Sequence, residues 1–143
     1  MARTIRAIIE DQDPFTAPAT MTVSEAAGFM RERGIGAAMV VEDGKLVGLF
    51  TERDALFRVV AQGLDPNATR LADVMTRDPR TIHPDKPFGH ALQIMHQGGF
   101  RHVPVVEDEK PVGMVSARDA LGPELEDFVY ELLRQEQAQD ILA

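Results

Sequence analysis

Two short segments of this chain have residue types and spacing suited to chemistry: Gly48-Leu-Phe-Thr51-Glu-Arg53-Asp54 and Gly113-Met-Val-Ser116-Ala-Arg118-Asp119. Each lies where an apolar run ends and a helical pattern begins. Thr51 or Ser116 is placed as an N-cap, with Asp54 or Asp119 as the third helical residue. That arrangement admits two readings. A hydroxyl followed three residues later by an acid is a capping box, and the acid favours the positive end of the helix. The same corner can also bind a ligand. Free N–H groups at a helix N-terminus suit a phosphate, the hydroxyl adds a donor, Arg53 or Arg118 adds charge, and the aspartate can accept from a ribose diol. Gly48 and Gly113 would leave room for a flat ring or backbone beside the strand.

Other chemistries find little support. With no cysteine, the chain has no disulfide, thiolate metal site or Cys nucleophile. His83, His90, His96 and His102 match no H-E-x-x-H or comparable ligand spacing, so no metal is expected. His90 and His96 fall on different faces of a helix. There is no nucleophile elbow and no Walker-type phosphate loop. The acid pairs Glu42-Asp43 and Glu107-Asp108 sit at turn signals. The chain is therefore expected not to be an enzyme. A net charge of −8 opposes a phosphate-tracking nucleic-acid surface and binding to anionic membranes, though not one local basic pocket. No apolar run approaches the ~20 residues of a membrane span, and the first residues are too short in apolar content for a signal peptide. A cytoplasmic protein is expected.

An internal duplication must position the two segments. Val40 to Leu56 (VVEDGKLVGLFTERDAL) overlays Val105 to Leu121 (VVEDEKPVGMVSARDAL) at an offset of 65. Roughly 17 of about 49 paired positions are identical, where chance gives about three. Thr22-Val-Ser-Glu25 opens a helix that Gly34 ends. Ala37 to Val41 and Leu46 to Phe50 read as strands joined by the turn pair Asp43-Gly44, and a second helix follows from Glu52 to Gln62. The second half repeats this order, with a helix over Phe88 to Gln97, strands over Val103 to Val106 and Val112 to Val115, and a helix from Ala117. Thr69 to Met75 reads as a short linking helix. Gly122-Pro123 breaks the last repeat helix, and Pro123 suits the first turn of a new one. Leu125, Phe128, Val129, Leu132 and Leu133 make an amphipathic stripe there, either a lid on the chain's own core or a partner contact.

The fold class is therefore expected to be α+β: two β-α-β-β-α repeats with pseudo-twofold symmetry, over 1–65 and 66–122, plus a C-terminal helix over 123–143. In the order of its elements, the duplication, Asp73-Val-Met-Thr76 and the paired Gly-x-x-Thr/Ser-x-x-Asp segments, the chain resembles a tandem pair of CBS domains (a Bateman module) over Ile8 to Leu121. The resemblance implies a regulatory module with no obligatory cofactor. An adenine nucleotide, S-adenosylmethionine or an NAD-type ligand would sit in one or both clefts between the repeats. It also implies a homodimer formed through the helices and an unidentified effector protein. Ribose and phosphate contacts would fall to Asp54, Thr51 and Arg53 in one cleft, and to Asp119, Ser116 and Arg118 in the other. Ile35-Gly36-Ala37 and Phe100-Arg101-His102 would line the clefts. The segments Pro14 to Ala17 (with Thr16) and Pro79 to His83 (with Thr81), together with Thr76 and Arg77, would flank the base.

The halves differ where such a ligand would choose between them. Arg101-His102 replaces Gly36-Ala37, which concentrates positive charge beside Ser116, Arg118 and Asp119 and favours that cleft for a phosphorylated ligand. Two alternatives stand beside this one: Arg101 pairs with Glu107, Asp108 or a partner subunit, or the Thr51/Asp54 cleft holds the ligand. His102 near the cleft would make affinity sensitive to pH. The competing function is a structural dimerisation or adaptor module whose clefts take no physiological ligand.

Overall fold

The computed structural model describes residues 3–142. Helix α1 (Ile5–Ile9) is followed by β1 (Thr16–Pro18), α2 (Val23–Arg33), β2 (Ala37–Glu42) and β3 (Lys45–Thr51). The chain then turns into α3 (Glu52–Asp54), which runs on as a π-helical segment (Ala55–Val60). A short α4 (Leu71–Val74) and β4 (Thr76–Arg77) link to the second repeat. That repeat comprises α5 (Phe88–Gly98), β5 (His102–Glu107), β6 (Lys110–Ser116), a 3-10 turn (Ala117–Ala120) and α6 (Leu121–Leu142).

The local signals act as their chemistry requires. Thr22 accepts from the Glu25 N–H at 3.2 Å to start α2, and Gly34, at φ +63°, ends it. Both hairpins turn on two residues with positive φ, Asp43-Gly44 and Asp108-Glu109, the twist of a type I′ turn. Glu109 accepts this backbone without the freedom of the glycine that the first hairpin has. Its hairpin tip is held by the Leu46 N–H donating to the Glu109 carbonyl and by Lys45–Glu109 at 3.0 Å, both contacts from the other repeat.

The first sheet has the order β1-β2-β3-β4, with β1 parallel to β2 and the other pairs antiparallel. The second sheet is the β5-β6 hairpin, and Ile82 bridges Val105 in parallel where β1 stands in the first repeat. Each hairpin has a bulge at the same place, Val40/Val41 and Val105/Val106. The two strand faces serve different cores. Ala38, Val40 and Phe50 face α2 and α4 in one core, and Val103, Val105 and Val115 face α5 in the other. The opposite faces meet between the repeats, where Ala37, Met39 and Leu49 pack with Met114.

Each repeat is capped by a segment that precedes the other repeat in sequence or follows it in the linker. Leu71, Val74 and Met75 complete the first core, whereas Ile5 and Ile9 complete the second. Gln12 extends the second cap like a strand: its side chain donates to the Met114 carbonyl at 2.8 Å and accepts from the Met114 N–H at 2.9 Å. The glycines next to these caps do not leave room for a ligand. A Cβ on Gly48 would lie 2.3 Å from Met75 Sδ, and one on Gly113 would lie 2.7 Å from Ile9. They are small because the caps close on the strands at those points.

Helix α6 begins at Leu121, so Pro123 lies in its first turn, where a missing N–H costs no hydrogen bond. Before it, the second repeat has only the four-residue 3-10 turn in place of the first repeat's longer helix. On the tail stripe, Phe128, Leu132 and Leu133 are exposed, so they do not form a lid. The side chains of Leu125 and Val129 lie outside the described residues.

Candidate functional site

The two strand-to-helix corners have the same local fold and different outcomes. At the first, Thr51 and Asp54 form a complete capping box: the Thr51 N–H donates to Asp54 Oδ2 at 2.9 Å, and the Asp54 N–H donates to Thr51 Oγ1 at 3.3 Å. The Thr51 hydroxyl also donates to Oδ2 at 3.2 Å, and Arg58, one helical turn on, approaches Oδ1 at 3.4 Å. Asp54 is only 7% exposed, with both oxygens engaged. At the second corner Ser116 and Asp119 make the same capping box, with the Ser116 N–H donating to Asp119 Oδ2 at 2.8 Å. The position that matches Arg58 is Pro123, which has no charge to offer. Asp119 is half-buried, and Oδ1 has no hydrogen-bond or ion-pair partner among the described residues.

Asp119 lines a cleft of about 990 Å3 between the repeats. From the second repeat the wall includes Arg101, His102, Ser116 and Arg118; from the first it includes Gly36, Ala37 and Glu52. The turn that leads from the Gln12 cap into β1 adds Asp13, Pro14 and Phe15. Gly36 is small for a reason: a Cβ there would fall 2.7 Å from Glu52 Oε1 and 3.4 Å from His102 Nε2. The backbone joins the repeats' corners in matching fashion, the Glu52 N–H donating to the Gly36 carbonyl at 3.0 Å and the Ala117 N–H to the Arg101 carbonyl at 2.9 Å.

Charge in the cleft is balanced overall and polarised locally. Arg33, Arg101 and Arg118 face Asp13, Glu52 and Asp119. Arg33 lies 3.7 Å from Asp13 and stacks over the Phe15 ring, while Arg101 and Arg118 line the cleft with Asp119 and Arg3 donates to the Asp119 carbonyl at 2.8 Å. Glu107 is taken by Arg6 at 2.8 Å, so Arg101 does not pair with it here. Burial lowers the pKa of His102; Glu52 opposes this, Arg101 and Arg118 add to it, and Asp119 opposes it weakly. His102 is therefore held toward its neutral form inside the cleft.

The cleft thus gathers Asp119, Ser116, Arg118, Arg101 and His102 with Gly36 and Ala37. The other candidates lie elsewhere. Thr51 and Asp54 are occupied with one another, and Arg53 reaches across to the Gly99 carbonyl at 3.2 Å. Thr16 and Thr76 are exposed strand residues, and Phe100 packs against the second core. Thr81 lines a separate groove beside α5. Glu52 was missed as a cleft residue. The duplication shows that Glu52 aligns with Ala117, which by itself does not place it at the cleft.

A family model for the CBS domain matches this chain twice, over residues 5–61 and 71–123. The chain belongs to the CBS-domain family, as a tandem pair. It is similar to the mitochondrial CBS domain-containing protein CBSX3 of Arabidopsis thaliana, 34% identical over 79% of this chain and 57% of that protein. It is also similar to the CBS domain-containing protein YhcV of Bacillus subtilis, 36% identical over 73% of this chain and 74% of that protein. The chain spans less than two thirds of the length of several curated relatives it matches, CBSX3 among them. Among solved structures, the CBS pair of MJ0100 in complex with 5′-methylthioadenosine and S-adenosyl-L-methionine superposes with a TM-score of 0.75 at 30% identity, over 84% of this chain and 94% of that one. The CBS-domain protein ATU1752 of Agrobacterium tumefaciens gives 0.77 at 29% identity, over 85% and 99%. CBS pairs are regulatory modules, and no described helix of this one is long and apolar enough to cross a membrane.

Proposed function

We propose that this CBS pair is a non-enzymatic sensor that binds one adenosyl ligand in the Asp119 cleft and passes the occupancy to an effector protein. The observation that carries this reading is the contrast between the two aspartates. One is consumed by its own cap and Arg58, while the other is available at the wall of a cleft large enough for a nucleoside. In this reading Asp119 accepts from the ribose diol. The Ser116 hydroxyl meets the phosphate or carboxylate end, and Arg101 and Arg118 supply charge-assisted bonds. Gly36, Ala37 and Phe15 form the apolar wall for the base. The MJ0100 complex supports the ligand class, an adenine nucleotide, S-adenosylmethionine or an NAD-type molecule. A ligand that touches both repeats favours one relative packing of them, which is the physical basis of a signal.

The test is thermal unfolding with AMP, ADP, ATP, S-adenosylmethionine and NADH. A true ligand at 100 times its Kd adds about 2.7 kcal/mol, and Asp119→Ala abolishes the shift. No shift with any of the five rejects the sensor; a shift that survives Asp119→Ala rejects the site.

A second reading, an adaptor or dimerisation module, has its own observation. Leu56, Phe57 and Val60 on the first repeat's last helix are 52%, 56% and 67% exposed, and Phe128, Leu132 and Leu133 of α6 are exposed as well. These faces fit a homodimer joined through helices, a state compatible with either reading. Sedimentation that shows only monomer at tens of micromolar rejects the dimer.

A further inference from the structure

The duplication exposes a second difference, away from the inter-repeat cleft. In the first repeat, the space between the β1 segment and α2 is filled by Phe15 and Phe29, whose ring centroids are 5.5 Å apart. The matching positions in the second repeat are Arg80 and Ile94. There, between the 80–83 segment and α5, a groove of about 370 Å3 is open. None of its lining residues lines the inter-repeat cleft.

The replacements around the groove run in one chemical direction. Pro18, Met21, Glu25 and Glu32 of the first repeat correspond to His83, Lys86, His90 and Gln97 of the second. A surface with two carboxylates and apolar groups has become one lined by Arg80, Lys86, two imidazoles and amide donors, in a chain of net charge −8. Its rim is fixed by backbone bonds. The Lys86 N–H donates to the His83 carbonyl at 3.1 Å, while the Ile5 and Arg6 N–H groups donate to the Lys86 and Pro84 carbonyls at 3.0 and 2.8 Å. The acids nearest the groove, Asp85 and Glu107, are each bound by Arg6 at 2.8 Å. Those two carboxylates flank His83 at 3.6 Å, and Arg6 bridges them, which leaves the cluster an ion-pair network with one negative charge in excess.

We infer that the groove between the 80–83 segment and α5 is a binding site for a small phosphate-bearing anion, recognised by Arg80 and Lys86 with His90 as an N–H donor; the His83 ring is engaged at Nδ1 by the Asp85 N–H and only borders the site. Arg80 offers a planar fork for two oxygens of one phosphoryl group, Lys86 a point charge, and Ile82 and Ile94 an apolar floor. The volume is ample for a compact ligand such as a diphosphate or a sugar phosphate. The inference is independent of what fills the cleft beside Asp119.

The experiment is an NMR titration of the full chain with inorganic pyrophosphate at low salt, with the His83 and His90 rings and the Gln93 and Gln97 side-chain amides as reporters. The expected result is saturable shifts at those groups. The double variant Arg80→Gln/Lys86→Gln, at two exposed positions, weakens the apparent Kd by about tenfold or more, as the loss of a charge-assisted contact requires. Arg118→Gln, in the other cleft, leaves it unchanged. Shifts confined to the Asp119 cleft overturn the inference, as do shifts that never saturate or that survive the double variant. Citrate binding as tightly as pyrophosphate overturns the assignment to phosphoryl groups.

Discussion

At the first corner Asp54 has Arg58 four residues on; at the second, Asp119 has Pro123. That one pair of positions turns the same motif to two ends. Where the helix continues, the arginine folds back on the carboxylate and the corner becomes part of the scaffold. Where proline stands, the helix geometry changes from a 3-10 turn to α6, and the carboxylate stays on the cleft wall. A duplicated unit of ~60 residues is small for an independent domain. One copy can therefore specialise in stability and the other in recognition while they share an interface.

The largest effect that bears on this contrast lies in the caps. Ile5 and Phe50 are fully buried in different repeats. Ile5→Ala is expected to cost about 2–5 kcal/mol and Phe50→Ala about 3–5 kcal/mol in urea unfolding. If Ile5→Ala is neutral, the N-terminal helix does not cap the second repeat. The aspartates come next. Asp54→Ala should lower the stability of the free protein by about 1–3 kcal/mol, through the lost cap and the unpaired Arg58, and leave the ligand response intact. Asp119→Ala should remove the ~2.7 kcal/mol ligand-induced gain and cost the free protein only its cap, about 1 kcal/mol. Equal effects from both substitutions would erase the distinction between the corners.

His102 gives a smaller effect, and a directional one. Burial lowers its folded pKa, so the unfolded chain binds the proton more readily. Stability is then complete above about pH 6.5 and falls as pH drops from there toward the folded value, by at most about 1.4 kcal/mol per pH unit. His102→Gln should remove that slope in thermal melts from pH 7.5 to 5.5. Because Glu52 is the charge that opposes the shift, Glu52→Gln should steepen it. The smallest effect is expected at the second hairpin tip: Glu109→Gln, which breaks an exposed pair with Lys45, should change stability by under ~1 kcal/mol and respond to salt.

Much of this was legible from spacing alone. Thr22 and Gly34 delimit α2 because capping is local chemistry, and the two turn pairs set both hairpins because two residues suffice to reverse a strand. The charge difference between the copies was also legible, in Arg101-His102 against Gly36-Ala37. Other features were not. Gly48 and Gly113 suggest space for a ligand until Met75 and Ile9 are seen to fill it. Thr81 falls in line with Thr16 in the duplication, yet it borders the groove beside α5, and Thr16 borders neither hollow. Glu52 looked like an ordinary first-turn acid, and only the approach of His102 from the other repeat makes it a cleft residue.

The amino-acid order by itself determined the two-copy plan, the capped helices, the hairpins and the charge difference between the copies. Each of these depends on residues a few positions apart, or on identities that survive translation by 65. Tertiary structure alone decided which segment closes which core and which residues of one repeat face the other. Those outcomes depend on contacts between residues about a hundred positions apart, such as Gln12 with Met114. No local preference encodes them, because they follow from burying two half-sized cores against one another.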